Sequence, residues 1–423
     1  MSRIIPRNGS SALAQSMTAA TARLRSRYQN FREVANKPGL KTLIIWSFPA
    51  RLHLSASVVA LLLVASDELS SVAAAGTVTG LFVLGQGASG PLRGRMIDRH
   101  NAATPLVVFS GIYGTGLTAL AYLPLHSVST LGFAAFATGL LCPPTTQAVR
   151  AKIGQLIPAE HRKQAFSLQS VVNELVLVSG PGLVAFAVLV HGPGLALAAC
   201  GAVAVVGGTG LAAACVRVGV NYPPEIGEQQ TSPRRLNAGV WALIGVVAVL
   251  IAAFTMVDLT LVLWSRATGN PELGGVLIAV WAIGSVIGGI SGSTDTGTAL
   301  LWTKVAGIAA TTMPLAILWA VVDSPQTLVI AVILLINGYT IPTTLAALYS
   351  RISEFSGNSA GSAFGWQAAA CTASGAAANT AGGVIFESVG AVGGASFAVA
   401  CTTVAAVVLV LLELAGKGAA PGV

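Results

Sequence analysis

Charge is what this chain has least of. Only 9% of its 423 residues are Asp, Glu, Lys or Arg, against about 25% in a soluble domain. Most of the surface is therefore not built to meet water. Cysteine is scarce too: Cys142, Cys200, Cys215, Cys371 and Cys401 all sit in apolar runs. Their odd number and lack of metal-ligand spacing exclude a disulfide framework and a cysteine metal site, leaving small packing residues. No G-x-x-x-x-G-K-[ST] stretch occurs, which excludes ATP-driven work by this chain alone. The histidines His53, His100, His126, His161 and His191 are scattered, and no H-x-x-x-H pair forms. The expectation is a protein that is not an enzyme and that uses no cofactor and no metal.

What fills the chain is apolar sequence, 54% hydrophobic with a mean hydropathy of +0.77. A spanning helix needs about 20 mainly apolar residues. Such runs lie near 41–65, 71–93, 101–123, 127–148, 165–190, 194–217, 238–264, 271–294, 299–321, 325–348, 361–386 and 388–415. The expected fold class is thus an all-α membrane protein with twelve transmembrane helices, lying in the cell inner (plasma) membrane. Forty-eight glycines suit this setting, because close backbone approach drives packing where lipid supplies no hydrophobic force.

The few charges are placed unevenly. With the N-terminus in the cytoplasm, every Lys and Arg except Arg51 and Arg266 falls on the inner side, and Asp67, Glu68, Glu272, Asp323 and Glu387 fall outside. That distribution puts both termini in the cytoplasm. The net charge of +8 is then a topology signal and implies no nucleic-acid partner. In the tail, Leu13, Met17, Ala20, Leu24, Tyr28 and Phe31 recur at helical spacing among four arginines. This pattern fits either a basic amphipathic helix on the inner leaflet or a disordered arm. The first apolar run begins only after Lys41, which does not fit a cleavable signal.

A shift of 198 residues lays one half of the chain on the other without a gap. Gly76, Gly90 and Gly94 meet Gly274, Gly288 and Gly292; Pro144-Thr145-Thr146 meets Pro342-Thr343-Thr344; Gln169 meets Gln367; and Gly192 meets Gly390. The expected organisation is a tail (1–40), a six-helix half (41–217), a cytoplasmic linker (218–237), a second six-helix half (238–416) and a short tail (417–423). Parallel six-helix pseudo-repeats are one of the designs of secondary transporters, with the site near mid-membrane.

Within "GPLRGRMIDRH" (Gly90 to His100), five titratable side chains crowd into eight positions. The stretch resembles the helix 2–3 loop signature G-x-x-x-D-R-x-G-R-[RK] of the major facilitator superfamily. Gly94, Asp98 and Arg99 match it, while Asn101 replaces its second glycine. "FPARLHLSASVVALLLV", "CPPTTQAVRAKI" and "AFSLQSVVNELVLVSGPG" resemble the actinobacterial efflux-like branch of that superfamily. The resemblance runs from about Leu40 to Leu414. It implies the major facilitator fold and a monomer in the bilayer that moves a small molecule by alternating access. It also implies a cytoplasmic gate at Gly90, Gly94, Arg95, Asp98 and Arg99. Asp98 would hold that gate through its own loop's cations or through the N-terminal dipole of a helix in the other half. Orientation charges alone are the competing reading of this loop.

Charges inside the membrane are functional candidates by default. Arg51 and Glu174 enter helices 1 and 5 to similar depth, so a buried Arg51–Glu174 ion pair is expected, either permanent or coupling protons to transport. Asp258 falls towards the outer end of its helix, as a solvated mouth residue or an entry site. Gly180-Pro181 matches part of the helix-5 antiporter motif and suggests a kink, and exchange for protons. The expected cavity lining is His53, Gln169, Asn173, Asn337, Tyr339, Trp366 and Gln367, sparse in fixed charge. That polarity suits an amphipathic or weakly polar substrate. The function expected is proton-coupled efflux, with an importer or a non-transporting sensor or scaffold as alternatives.

Overall fold

The structure is a computed structural model that describes residues 37–99, 101–124, 126–222, 236–270, 272–292, 300–322 and 325–418. The amphipathic stretch over 13–32, linker residues 223–235, His100, Asp323 and tail residues 419–423 lie outside the described residues.

The described residues are helical and include no strand. In chain order the helices are α1 (Pro38–Leu69), α2 (Val72–Ala88), α3 (Gly90–Arg99), α4 (Ala103–Tyr122), α5 (Val128–Leu140), α6 (Thr145–Leu156), α7 (Arg162–Arg217), α8 (Ala238–Ala267), α9 (Glu272–Gly292), α10 (Leu301–Val321), α11 (Thr327–Ser356) and α12 (Ala360–Gly418). Their ends carry the expected local chemistry: the side chains of Ser71, Ser127 and Asn237 accept from the third residue onward and cap α2, α5 and α8. Eight segments are long and apolar enough to cross a membrane. Two of these, Ala159–Arg217 at 59 residues and Thr327–Leu414 at 88, far exceed the roughly 20 residues of one crossing.

Both very long helices break at the same place. α7 leaves helical geometry at His191 and Gly192 (φ 85°), and α12 at Gly390 (φ 70°). These are the glycines that the 198-residue shift pairs, and their left-handed backbone is one that glycine adopts without strain.

Packing shows the repeat as well, with one correction. Gly85 and Gly139 each press on the other helix's backbone between α2 and α5, at Phe136 and Phe82. In the second half Gly284 and Gly338 do the same between α9 and α11, at Leu335 and Trp281. The offset here is 199, not 198. The extra residue is absorbed where the first half interrupts its helix over Leu141–Pro144 while α11 runs on through Pro342. A gapless register is therefore one residue out for this pair.

Three apolar clusters fill the interior. One contains residues only of the first half, among them Leu61, Phe82, Tyr113 and Leu197. Another belongs only to the second half, with Leu261, Trp281, Leu315 and Leu334. The third draws on both halves, joining Leu43, Ile97, Ile153 and Phe166 to Leu250, Ile308, Leu348 and Phe364. It lies at the end that carries α3. The halves thus share a core at one end and keep separate cores towards the other.

Candidate functional site

At the shared end, α3 meets the start of α12. Asp98 accepts hydrogen bonds of 2.6 Å from the backbone N–H groups of both Gly361 and Ser362. These are first-turn N–H groups of α12, which have no partner within the helix. The carboxylate satisfies them and faces the positive end of the helix dipole. Such proximity needs glycine: a Cβ on Gly94 would run into the Gly361 carbonyl, and one on Gly90 into that of Gly365. Burial pushes the Asp98 carboxyl up to about 6, against the pull of these hydrogen bonds and of Lys152. Of the two partners anticipated for Asp98, the structure selects the helix terminus of the other half.

The arginines of this loop divide. Arg95 and Arg99 are exposed, as orientation charges should be. Arg93 is buried and holds the interruption after α5, donating to Cys142 O at 2.7 Å and also to Gln86 O. Pro143 and Pro144 cannot supply N–H donors there, and an arginine fills the role. The sequence signal was the Pro-Pro pair.

Deeper in, the expected Arg51–Glu174 pair is not what the structure brings together. Arg51 donates to Asn173 Oδ1 at 2.5 Å, while Glu174 accepts from Ser285 of α9 at 3.0 Å. Adjacent residues on a helix point about 100° apart, so Asn173 and Glu174 cannot both face Arg51. Asp258, expected in water at the outer mouth, is partly buried and has Glu174 as its charged neighbour. Glu174 and Asp258, one from each half, are thus close enough for their like charges to interact.

Arg51 instead has other positive charge in its neighbourhood. Arg150 is its main charged neighbour, and the side chain of Tyr349 also lies within its reach. Arg150 lies over the Tyr349 ring at 4.0 Å and near Phe364 at 5.6 Å, and donates to Gln367 Oε1. Gln367, expected with Gln169 to line the cavity, is thus spent on Arg150, and Gln169 hydrogen-bonds to nothing. His53 packs on Tyr113 with ring centroids 5.0 Å apart, and both its nitrogens lack partners. Sequence reasoning missed Arg150, reading it as one more inner-loop charge.

Three further candidates have their surroundings within the second half. Asn337 is satisfied wholly inside the second half, accepting from Trp281 Nε1 and donating to Thr311 and Thr312, each at 2.9 Å. It ties α9, α10 and α11 together. Trp366 packs edge-on against Trp241 of its own half, 5.2 Å between centroids. Tyr339 is 45% exposed and lends its backbone carbonyl to the approach of Gly288. At Gly180-Pro181 the backbone stays helical. Gly180 lets α7 close on Ser55 and Ala56 of α1, and Ser55 donates to Val176 O at 2.8 Å.

The family model described as Major Facilitator Superfamily matches residues 43–379. No curated protein sequence matches the chain. Similar solved structures include a bacterial homologue of the iron transporter ferroportin in an outward-facing state, at 13% identity and a TM-score of 0.75, covering 89% of this chain and 99% of that one. Others are the transporter FucP in an outward conformation, at 13% identity, TM-score 0.66 and coverage of 89% and 99%, and the human organic anion transporter TETRAN, at 13% identity, TM-score 0.66 and coverage of 88% and 99%. With the family model spanning most of its length and these folds overlying nearly all of the described helices, the chain belongs to the Major Facilitator Superfamily.

Proposed function

We propose that this protein is a proton-coupled exporter, a monomer that carries a small amphipathic molecule across the cell's inner membrane by rocking two six-helix halves. The observation that carries the reading is the joint at α3. The halves share a core and an Asp98–α12 contact at that end and keep separate cores towards the other. A protein with a permanent scaffold role has no need of such a joint, whereas alternating access requires a contact that forms and breaks.

Twelve crossings follow if α7 and α12 each cross twice around Gly192 and Gly390, and if α2–α3 and α5–α6 each count as one interrupted crossing. The clustering of basic residues then puts the α3 end and both termini in the cytoplasm, and the domain limits are those of the two repeats. Glu174 and Asp258 are the proton carriers in this reading. They share a neighbourhood across the interface between the halves, and one proton between them relieves the repulsion of like charges.

Sealed vesicles containing the purified protein test this. An imposed pH gradient should drive substrate movement in the wild type. Glu174→Gln should cut gradient-driven transport by about 5–150-fold, the range of a typical coupling free energy, while substrate exchange without a gradient continues. Full gradient-driven transport in Glu174→Gln would remove the proton role from this site.

A further inference from the structure

The first half buries three guanidinium groups, those of Arg51, Arg93 and Arg150, and no described acid pairs with any of them. Arg93 is largely consumed by backbone carbonyls. Arg51 and Arg150 are not. Arg51 is 2% exposed, and its Nε and Nη1 have no acceptor; Arg150 is 9% exposed, and its Nε has none. Gln169, 3% exposed, has neither donor nor acceptor satisfied, and its Nε2 is a further idle donor. Both nitrogens of buried His53 are idle as well, with Arg93 and Arg51 as its charged neighbours.

Buried polar groups are ordinarily hydrogen-bonded, and buried charges are ordinarily paired. Two neighbouring arginines that retain free N–H groups in one buried region violate both rules. An oxyanion removes both violations together, because guanidinium groups match pairs of carboxylate or phosphate oxygens in geometry and charge. The partly buried acids of the interior do not serve: Glu174 accepts from Ser285 and influences Asp258, and Asp98 caps α12. Asn173 supplies only a neutral amide oxygen.

We propose that Arg51 and Arg150, with the amide of Gln169, which lies one helical turn before the Arg51 partner Asn173 on the same face of α7, bind the carboxylate or other small oxyanion group of the molecule this protein moves. The proposal rests on the transport reading for its substrate, but the site itself is defined by binding alone. Arg150 is the element that links binding to movement. It reaches across to Gln367, Tyr349 and Phe364 of the second half. An anion seated between Arg51 and Arg150 therefore bears directly on the contact between the halves. The amphipathic substrate of the sequence reading becomes an amphipathic anion, with the aromatic rings beside Arg150 taking its apolar part.

The test uses the full-length protein in nanodiscs of phosphatidylcholine, followed by thermal unfolding at constant ionic strength. The probes are benzoate, acetate and inorganic phosphate, with benzamide and benzylamine as neutral and cationic controls. At least one of the three anions should raise the wild-type melting temperature in a saturable manner, and neither control should. Arg51→Gln and Arg150→Gln should each lose that rise, and Arg51→Gln should melt higher than the wild type when no anion is added. Arg51→Lys, which keeps the charge without the fork, should show a weakened rise. Three outcomes overturn the proposal: equal stabilisation by benzamide, an unchanged rise in Arg51→Gln, or no rise with any of the three anions. Stabilisation on adding phosphatidylglycerol but not a soluble anion also overturns it, since the anion is then a lipid headgroup. Anion binding that survives in a protein shown to transport nothing would sink the transport reading and leave the site standing.

Discussion

The two halves of this molecule have the same packing and opposite chemistry. Each closes its α2–α5 or α9–α11 contact on reciprocal glycines, and each turns its longest helix at a left-handed glycine. Yet Arg51, His53, Arg93, Asp98, Arg150 and Glu174 all belong to the first half. What the second half presents to them is neutral: the N–H groups of Gly361 and Ser362, the Ser285 hydroxyl, the Gln367 amide and the Tyr349 ring. Asp258 is a charged group that it does add, and it adds it against a like charge. The difference has an energetic meaning. Breaking a buried ion pair costs about 3–5 kcal/mol, whereas a hydrogen bond to a charged group contributes about 1.5–3 kcal/mol. On the proposed rocking of the two halves, contacts of the second kind separate at lower cost.

The largest effect should come from the closest contact between them. Gly94→Val would place a branched side chain on the Gly361 carbonyl. Backbone cannot yield as a flexible side chain does, and overpacking of about 1–3 kcal/mol or more is expected to fall wholly on the joined state. Transport should be lost while the protein still inserts and folds. Gly80→Val is the control on α2, where a Cβ meets open space, and it should transport normally. Equal loss in both variants, measured in the same vesicles, would show that the α3–α12 approach has no special part in the cycle.

This contact was also among the most legible features of the sequence. The Gly-x-x-x-Asp-Arg spacing puts Gly94 and Asp98 one helical turn apart on one face, and a helix terminus of the other half was among the partners left open for Asp98, while the close glycine approach beside it emerges only from the packing. Helix placement was readable for the same reason, since twenty-residue apolar runs have few other uses. What the sequence did not reveal were side-chain partners. Arg51 and Glu174 have matching depth, but depth says nothing of azimuth, and Asn173 takes the position that faces Arg51. Asn337 looked like a cavity residue because a polar group in an apolar helix must go somewhere. Whether it faces a cavity or the threonines of a neighbouring helix is decided by helix rotation, which a glycine-rich sequence with apolar residues all around its helices leaves unmarked.

A smaller effect sharpens the comparison at two buried amides. Asn337 in the second half is fully engaged, and Asn337→Leu strands the Trp281 N–H. An orphaned buried donor costs about 1–3 kcal/mol, so the melting temperature should fall. Gln169 in the first half is engaged with nothing. Gln169→Leu removes unsatisfied groups and should leave the stability of the unliganded protein unchanged or raised. A marked fall in both variants would mean that Gln169 has a partner in the resting protein and is not held in reserve for a ligand.

The smallest effect concerns the pH at which the joint at α3 releases. In the joined state burial pushes the Asp98 carboxyl up to about 6, whereas in water a carboxyl of this kind titrates near 3.9. The joined state therefore holds the proton more tightly than the separated one. Its pH-linked advantage is complete below about 3.9 and is lost as pH rises through about 6. Between pH 5 and pH 7.5 the balance should shift towards separation of α3 from α12. A cysteine-free variant with labels near Arg95 and on α11 should report this as a growing population of the longer distance in electron-spin measurements. Asp98→Asn carries no titrating group there and should give the same distances at both pH values. It keeps one acceptor for two N–H groups, so its joint should also be weaker than one in which both are satisfied. A pH-dependent distance that persists in Asp98→Asn would assign the response to another group, with Glu174 and Asp258 next to be tested. An invariant distance in the wild type would mean that the carboxylate stays charged and joined throughout that range.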